Sequence, residues 1–347
     1  MKQRYDELRN EAWSLPDGKQ KVTVLEEAVR IADLYMSKEE AYHARMTYSE
    51  AALVSGFEER FIVSFAWCLS QFEKQPDLYD NHQIIWHYKW LVGIIWRFPQ
   101  FGAAQIEDIF DDFKRKCLQY GHSLRPYYSK VHLYALAGGH AELAQTYYEQ
   151  WKKAPYDQMS DCRACEQNLF GYFHLTTGRY KRGLQTLKPI LSGKMSCRSI
   201  PQNTYSHVLM PLLETDQQEE AAKLARKGAR MLKGPGYLEE YGRLIGYYSA
   251  TDLNKAAKLL ESTAEYVLSN KTDWNRFQYL IGARAFFTLW NEKKRRRKLV
   301  VHNSFTSEWV EAESERLARA FDTRNGNDYC QGQLAQKINQ VWKRRTH

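Results

Sequence analysis

Three cysteines carry the sharpest chemistry in the chain. Cys162 and Cys165 frame Arg163 and Ala164, and Cys197 follows 35 residues after Cys162 and 32 after Cys165. A Cys-x-x-Cys pair is a common half-site for zinc, which binds thiolate sulfur at about 2.3 Å and takes four ligands in a closed structural site. A fourth ligand is not obvious. His174 and His207 fall roughly nine or ten residues into their predicted helices, hence about 14 Å away along the axis at 1.5 Å per residue. Asp161, Asp157, His122 or a water molecule are the remaining options. The same thiols also read as small apolar packing groups, as disulfide partners, or as redox-sensitive thiols acidified at helix N-termini.

Other reactive-looking groups have plainer readings. Glu107, Asp108, Asp111 and Asp112 could hold a cation, but their helical spacing fits a solvated face or a contact for a basic partner. The aromatic run from Ile84 to Trp96 is apolar almost all round, which predicts a buried central helix rather than a ligand-stacking platform. Lys293, Lys294, Arg295, Arg296, Arg297 and Lys298 form a basic run that suits either a solvated helix end or an acidic partner. Phosphate-binding loops, His-Glu-x-x-His helices, nucleophile elbows and dinucleotide fingerprints do not occur. No enzymatic activity is therefore expected, and no cofactor beyond a structural zinc.

The elements that position these residues read as helices. Leu124, Tyr128, Val131 and Ala135 follow the spacing of one helix face, with Arg125, Lys130 and His132 elsewhere. No Asn-Gly or Asp-Gly turn lies between alternating β-branched runs. Ser37-Lys38-Glu39-Glu40 and Thr215-Asp216-Gln217-Gln218 have the pattern of a capping box, which predicts a helix start at each. The chain has 10 Trp, 23 Tyr and 15 Phe, enough large flat side chains to fill the gaps between many packed helices.

Periodicity organises the helices. Gly139–Ala144, Gly178–Gly183, Asp216–Ala221 and Thr251–Ala256 align, each ending in a small residue, and that residue recurs at 144, 183, 221 and 256. Successive copies are thus 39, 38 and 35 residues apart, close to a unit of about 34. Two helices of a hairpin approach to about 8–10 Å, and a bulky side chain at their crossing would hold them apart. The stretch from Gly171 to Leu184 is the clearest copy, although Gly183 stands where alanine is usual.

These segments resemble tetratricopeptide repeats, and the surroundings of Cys162, Cys165 and Cys197 are similar to a segment of bacterial proteins of that type. The resemblance implies an all-α fold, a right-handed α-solenoid of about eight helical hairpins. Pairs are expected at 2–35, 37–75, 80–120, 123–153, 163–192, 202–233, 237–268 and 273–322, with a closing helix at 333–345. The whole of 1–347 reads as one domain, with degenerate repeats over 1–120, clearer ones over 121–322 and a polar capping segment over 323–347. By the same resemblance the array is a scaffold or regulator, holding a protein or peptide in the groove lined by first helices. Tyr127, Lys130, Tyr205 and Arg243 are the expected contact residues.

Net charge bounds the partners. At +9, the chain suits an acidic or extended protein segment, and the alternative reading is a basic helical repeat that binds nucleic acid. Successive repeats, however, lack the equivalent recognition residues of a base-reading code. A third reading is a sensor or regulator in a bacterial defence, toxin-immunity or peptide-signalling system. Neither a secretory leader nor about 18 consecutive apolar residues is present, and the cysteines are sparse, so a soluble cytoplasmic protein is expected.

Overall fold

The computed structural model describes residues 1–293 and 297–346. All regular structure among these residues is helical, in seventeen α-helices with three short 3-10 turns. In chain order the helices run as pairs. The first four are α1 (Lys2–Ser14) with α2 (Lys19–Tyr35), α3 (Lys38–Val54) with α4 (Glu58–Lys74), α5 (Asn81–Ile94) with α6 (Ala103–Gln119), and α7 (Arg125–Ala137) with α8 (Ala141–Lys153). There follow α9 (Arg163–Thr176) with α10 (Tyr180–Leu191), α11 (Gln202–Glu214) with α12 (Gln218–Met231), α13 (Leu238–Thr251) with α14 (Leu253–Ser269), and α15 (Asp273–Glu292) with α16 (Ser307–Asn325). A last helix, α17 (Tyr329–Thr346), closes the chain. Most neighbours in sequence pack on each other as hairpins, with boundaries close to those expected.

Packing gathers the chain into two compact units. Met1–Tyr134 with Ala144–Met159 form the first, and Ala135–Leu143 with Ser160–His347 the second.

In the first unit α4 and α5 supply a continuous aromatic and aliphatic core. Phe61, Phe65 and Phe72 line one face of α4, and Ile84, Ile85 and Val92 come from α5. Each such side chain contributes roughly 1.5–3 kcal/mol by leaving water. Tyr88 is buried but directs its hydroxyl to Asp112, donating at 2.8 Å. The aromatic run is thus core, as its composition suggested. One member is unexpected: Lys89 is fully buried. Its ammonium donates to the Met159 carbonyl at 2.9 Å and lies 3.3 Å from the centre of the Trp86 ring, contacts that offset part of the cost of taking a charge out of water.

The α7 helix departs from the simple amphipathic reading. Arg125 and His132 are buried as well as Val131 and Ala135. The Arg125 guanidinium donates to the carbonyls of Trp151 and Ala154 at 3.1 and 2.6 Å, satisfying acceptors that the end of α8 leaves open. The His132 Nδ1–H donates to Ala144 O at 2.8 Å. Arg125 is therefore drawn inward by the helix end it completes, and His132 by a carbonyl within the first turn of α8.

Burial also sets an acid sensitivity. His87 and His132 are held neutral, their pKa values lowered to about 4 by burial, against which hydrogen bonds to Gln83 and Ala144 act only partly. Between that value and the ordinary 6.5, the unfolded chain binds protons that the folded one does not. Stability is then fully present above about pH 6.5 and falls as pH drops toward 4, by up to about 3 kcal/mol per histidine. Urea unfolding at pH 7 and pH 4.5 should show this loss, and the double variant H87Q/H132Q should flatten it. An unaltered pH slope in that variant would contradict the assignment.

Helix starts follow local chemistry. Ser37 and Glu40 form the expected reciprocal capping box of α3, and Asp252 and Thr306 cap α14 and α16 with their side-chain oxygens. The expected box at Thr215 is not formed. Thr215 ends α11 instead, its hydroxyl donating to Pro211 O at 2.9 Å, while Asp216 takes a positive φ of 57° and α12 starts at Gln218. Two helices joined this tightly need the hydroxyl at the outgoing end, where it can reach a terminal carbonyl.

The second unit places first helices next to one another, α9 by α11, α11 by α13 and α13 by α15. Second helices pack on their own partners, and α17 packs on α13, α15 and α16. The small residues singled out by periodicity are at close contacts. Ala221 and Ala256 are fully buried, and a Cβ on Gly183 would come within 2.4 Å of Leu175 Cδ2. Ala144 is likewise fully buried in the first unit.

Candidate metal centre

The second unit brings the three separated cysteines together. Cys162 is the N-cap of α9, and its sulfur accepts from the Cys165 backbone N–H at 3.4 Å. Cys165 is in the first turn of the same helix, one turn closer to the interior. Cys197 comes from the irregular stretch between α10 and α11, which folds back so that its backbone N–H donates to Ile200 O at 3.0 Å. The Cys165 and Cys197 sulfurs are 3.5 Å apart, and all three sulfurs lie within 4.8 Å of one another.

These separations fit a metal. A tetrahedral zinc with sulfur at about 2.3 Å spaces its ligands about 3.8 Å apart, inside the range the three thiols already span. Cys162 is exposed, while Cys165 and Cys197 are half-buried, so an ion could enter from solvent. No histidine or carboxylate joins the cluster among the described residues. Three protein thiolates and one exchangeable position are what the cluster offers a metal such as zinc.

Electrostatics prepare one of the thiols. Burial opposes ionisation of Cys197, but backbone hydrogen bonds at Ser199 and Ile200 and the neighbouring thiols outweigh it and lower its pKa. Cys165 moves the other way, raised first by burial and then by hydrogen bonds to Cys162 and Cys197. Cys197 is therefore the more readily ionised thiol of the pair, and a bound cation would favour the thiolate form of both.

No model of a known protein family matches this chain, and no curated protein matches it significantly.

The other cysteines serve packing. Cys68, Cys117 and Cys330 are fully buried, and burial pushes the first two up to about 12 and raises the third. They are poor nucleophiles and poor ligands for that reason.

Of the expected groove contacts, two are placed inside. Tyr127 is 5% exposed and packs with Phe110 and Tyr147, its hydroxyl 3.5 Å from that of Tyr147. Tyr205 is 2% exposed, with Gly228 against its Cβ and the Lys227 ammonium over its ring. Neither ring is available to a partner, because a first helix flanked by neighbours on several sides buries its large side chains. Lys130 is half-buried, its stem beside Gly93. Arg243 is half-buried and lines a cavity, donating to Glu239 at 2.8 Å.

The basic run is only partly placed. Lys293, Arg297 and Lys298 are exposed, and Arg297 pairs with Glu261, whose other oxygen accepts from the Val300 N–H. Lys294, Arg295 and Arg296 lie outside the described residues. Among the acidic group, Glu107, Asp108 and Asp111 are exposed on α6, while Asp112 accepts from Tyr88 and pairs with Arg115 and Lys116. No described helix is long and apolar enough to cross a membrane.

Proposed function

We propose that this chain is a non-enzymatic scaffold or regulator built as a tetratricopeptide-like, right-handed solenoid of about eight hairpins, and that it holds a protein or peptide on its first helices. The supporting observation is the adjacency of α9, α11, α13 and α15, with α17 packed on two of them. A wall of parallel helices with a helix already against it offers the ridges and grooves into which another amphipathic or extended segment fits. The small buried residues at helix crossings agree with the repeat reading. The excess of positive charge favours an acidic segment. In this reading a zinc held by Cys162, Cys165 and Cys197 is structural.

The test starts from affinity capture on the full chain in its native cell and continues with the purified partner. Hydrogen exchange on the complex should show protection concentrated on α9, α11 and α13. Protection confined to α10, α12 and α14 would refute the groove reading. A titration with single-stranded RNA or DNA separates the nucleic-acid alternative: binding that falls steeply as salt rises from about 50 mM would favour it, since affinity carried by phosphate contacts is salt-dependent.

A further inference from the structure

The second unit contains a cavity of about 210 Å³ lined from α9, α10, α11, α13, α15 and α17. At about 30 Å³ per water it has room for roughly seven waters, which suits a small molecule. Its described lining includes two cations, Arg243 and Lys337, and no carboxylate. We propose that this cavity binds a small molecule through an oxyanion, a carboxylate or a phosphate, held by Lys337 and Arg243.

Three features of the lining are organised for a ligand. First, hydrogen-bonding capacity is left open. His207 Nδ1, Arg243 Nη1 and Gln333 Oε1 are buried atoms with no hydrogen-bond partner, a condition that native interiors generally avoid. Arg243 spends one arm of its fork on Glu239, and the other is 3.8 Å from Glu240, so an incoming oxygen could take that arm. The Gln333 amide can turn to present either its oxygen or its nitrogen.

Second, a space is kept for the lysine. A Cβ on Gly246 would lie 2.8 Å from Lys337 Cε, so glycine at that point of α13 lets the end of the lysine lie against the helix where alanine would push it aside. Third, the cavity is bordered by two aromatic rings, those of Tyr172 and His207, 4.4 Å apart and inclined at 48° to each other. An apolar body attached to the anionic group could pack against either ring.

Charge agrees with this arrangement. The Lys337 pKa is lowered to about 8, first by burial and then by Arg243, with Glu214 acting in the opposite direction. His207 is kept neutral by burial and by Arg243. Glu239 and Glu240 sit behind Arg243 rather than in the lining. An anion entering the cavity would therefore meet one cation with incomplete compensation and another whose Nη1 is held only at 3.8 Å from Glu240, and would relieve the repulsion between them.

Calorimetric titration of the full chain tests this with two probes, inorganic phosphate and succinate. At least one should bind and raise the thermal midpoint, and which one binds assigns the anion as phosphate or carboxylate. Lys337→Met removes a charge from a poorly solvated place and is expected to fold. It should weaken the bound probe about tenfold, the loss expected of a charge-assisted hydrogen bond. Gly246→Ala, which displaces the flexible end of Lys337, should weaken the same probe by several-fold while Gly332→Ala leaves it unchanged. Should either lysine-directed variant fail to fold, Gln333→Leu, one turn before Lys337 on α17, gives the same reading. Absence of binding by both probes, or equal affinity in wild type and K337M, would overturn the proposal.

Discussion

Gly282→Ala is expected to destabilise the second unit by about 3 kcal/mol or more, a cost at the upper end of what overpacking does to a helix contact. An added Cβ on Gly282 would stand 1.9 Å from the carbonyl oxygen of Gly242, and one on Gly242 would stand 2.4 Å from the carbonyl oxygen of Gln278. Both obstacles are backbone, so no side-chain rotation can relieve them and α13 and α15 would have to separate. Helix propensity opposes the clash, since alanine is favoured over glycine by about 1 kcal/mol in a helix interior. The clash wins because the approach is far inside van der Waals contact. Separation would also disturb the cavity, because α13 carries Arg243 and α15 carries Gln278 and Gly282 in the same lining.

Comparison with other glycines isolates the cause. Gly171 and Gly183 meet leucine side chains, those of Leu187 and Leu175, at 2.3 and 2.4 Å. Those leucine tips can shift, so alanine there should cost less. Gly332 in α17 has nothing within 4 Å, and Gly332→Ala should stabilise by about 0.5–1 kcal/mol. Urea unfolding followed by circular dichroism ranks the series. A Gly282→Ala protein as stable as Gly332→Ala would show that the two backbones do not meet.

How much of this was readable from sequence depends on the range of the interaction. Hairpin boundaries were legible because they follow local signals, the turns around Gly139 and Gly178 and the cap at Ser37. Small residues at 144, 183, 221 and 256 were legible because they recur at nearly constant spacing within each hairpin. Gly242 and Gly282 were not, because they mediate contact between different hairpins and belong to no common register. The partner of Lys89 was not legible, since only the fold brings the Met159 carbonyl to it from 70 residues away. Tyr127 and Tyr205 failed for a related reason: a helical wheel shows which residues share a face but not that neighbours cover the other faces too. The three cysteines were found from spacing alone, whereas the fourth position of the centre has no protein ligand among the described residues.

The cysteine centre leads to the second large effect. Protein purified without added zinc should retain about one zinc per chain, and Cys197→Ser should reduce this to roughly a tenth or less, because two thiolates rarely suffice for a structural site. Stability should follow occupancy. A ligand that binds only the folded form adds about 4 kcal/mol when its free concentration exceeds its dissociation constant about 1,000-fold. Chelation should therefore lower the thermal midpoint of the wild type strongly and that of Cys197→Ser little. The loss should be local as well, since Cys197 is the one ligand from the irregular stretch between α10 and α11, while Cys162 and Cys165 stand on α9. Hydrogen exchange after chelation should rise first in residues 192–201 and at the start of α9. The disulfide reading makes a different prediction, because joining Cys165 to Cys197 would need their sulfurs to close from 3.5 Å to about 2.05 Å and would make the midpoint respond to reductant rather than to chelator. Metal content below roughly a tenth of an equivalent in wild-type protein, with a midpoint indifferent to chelation, would leave the three thiols without a metal role.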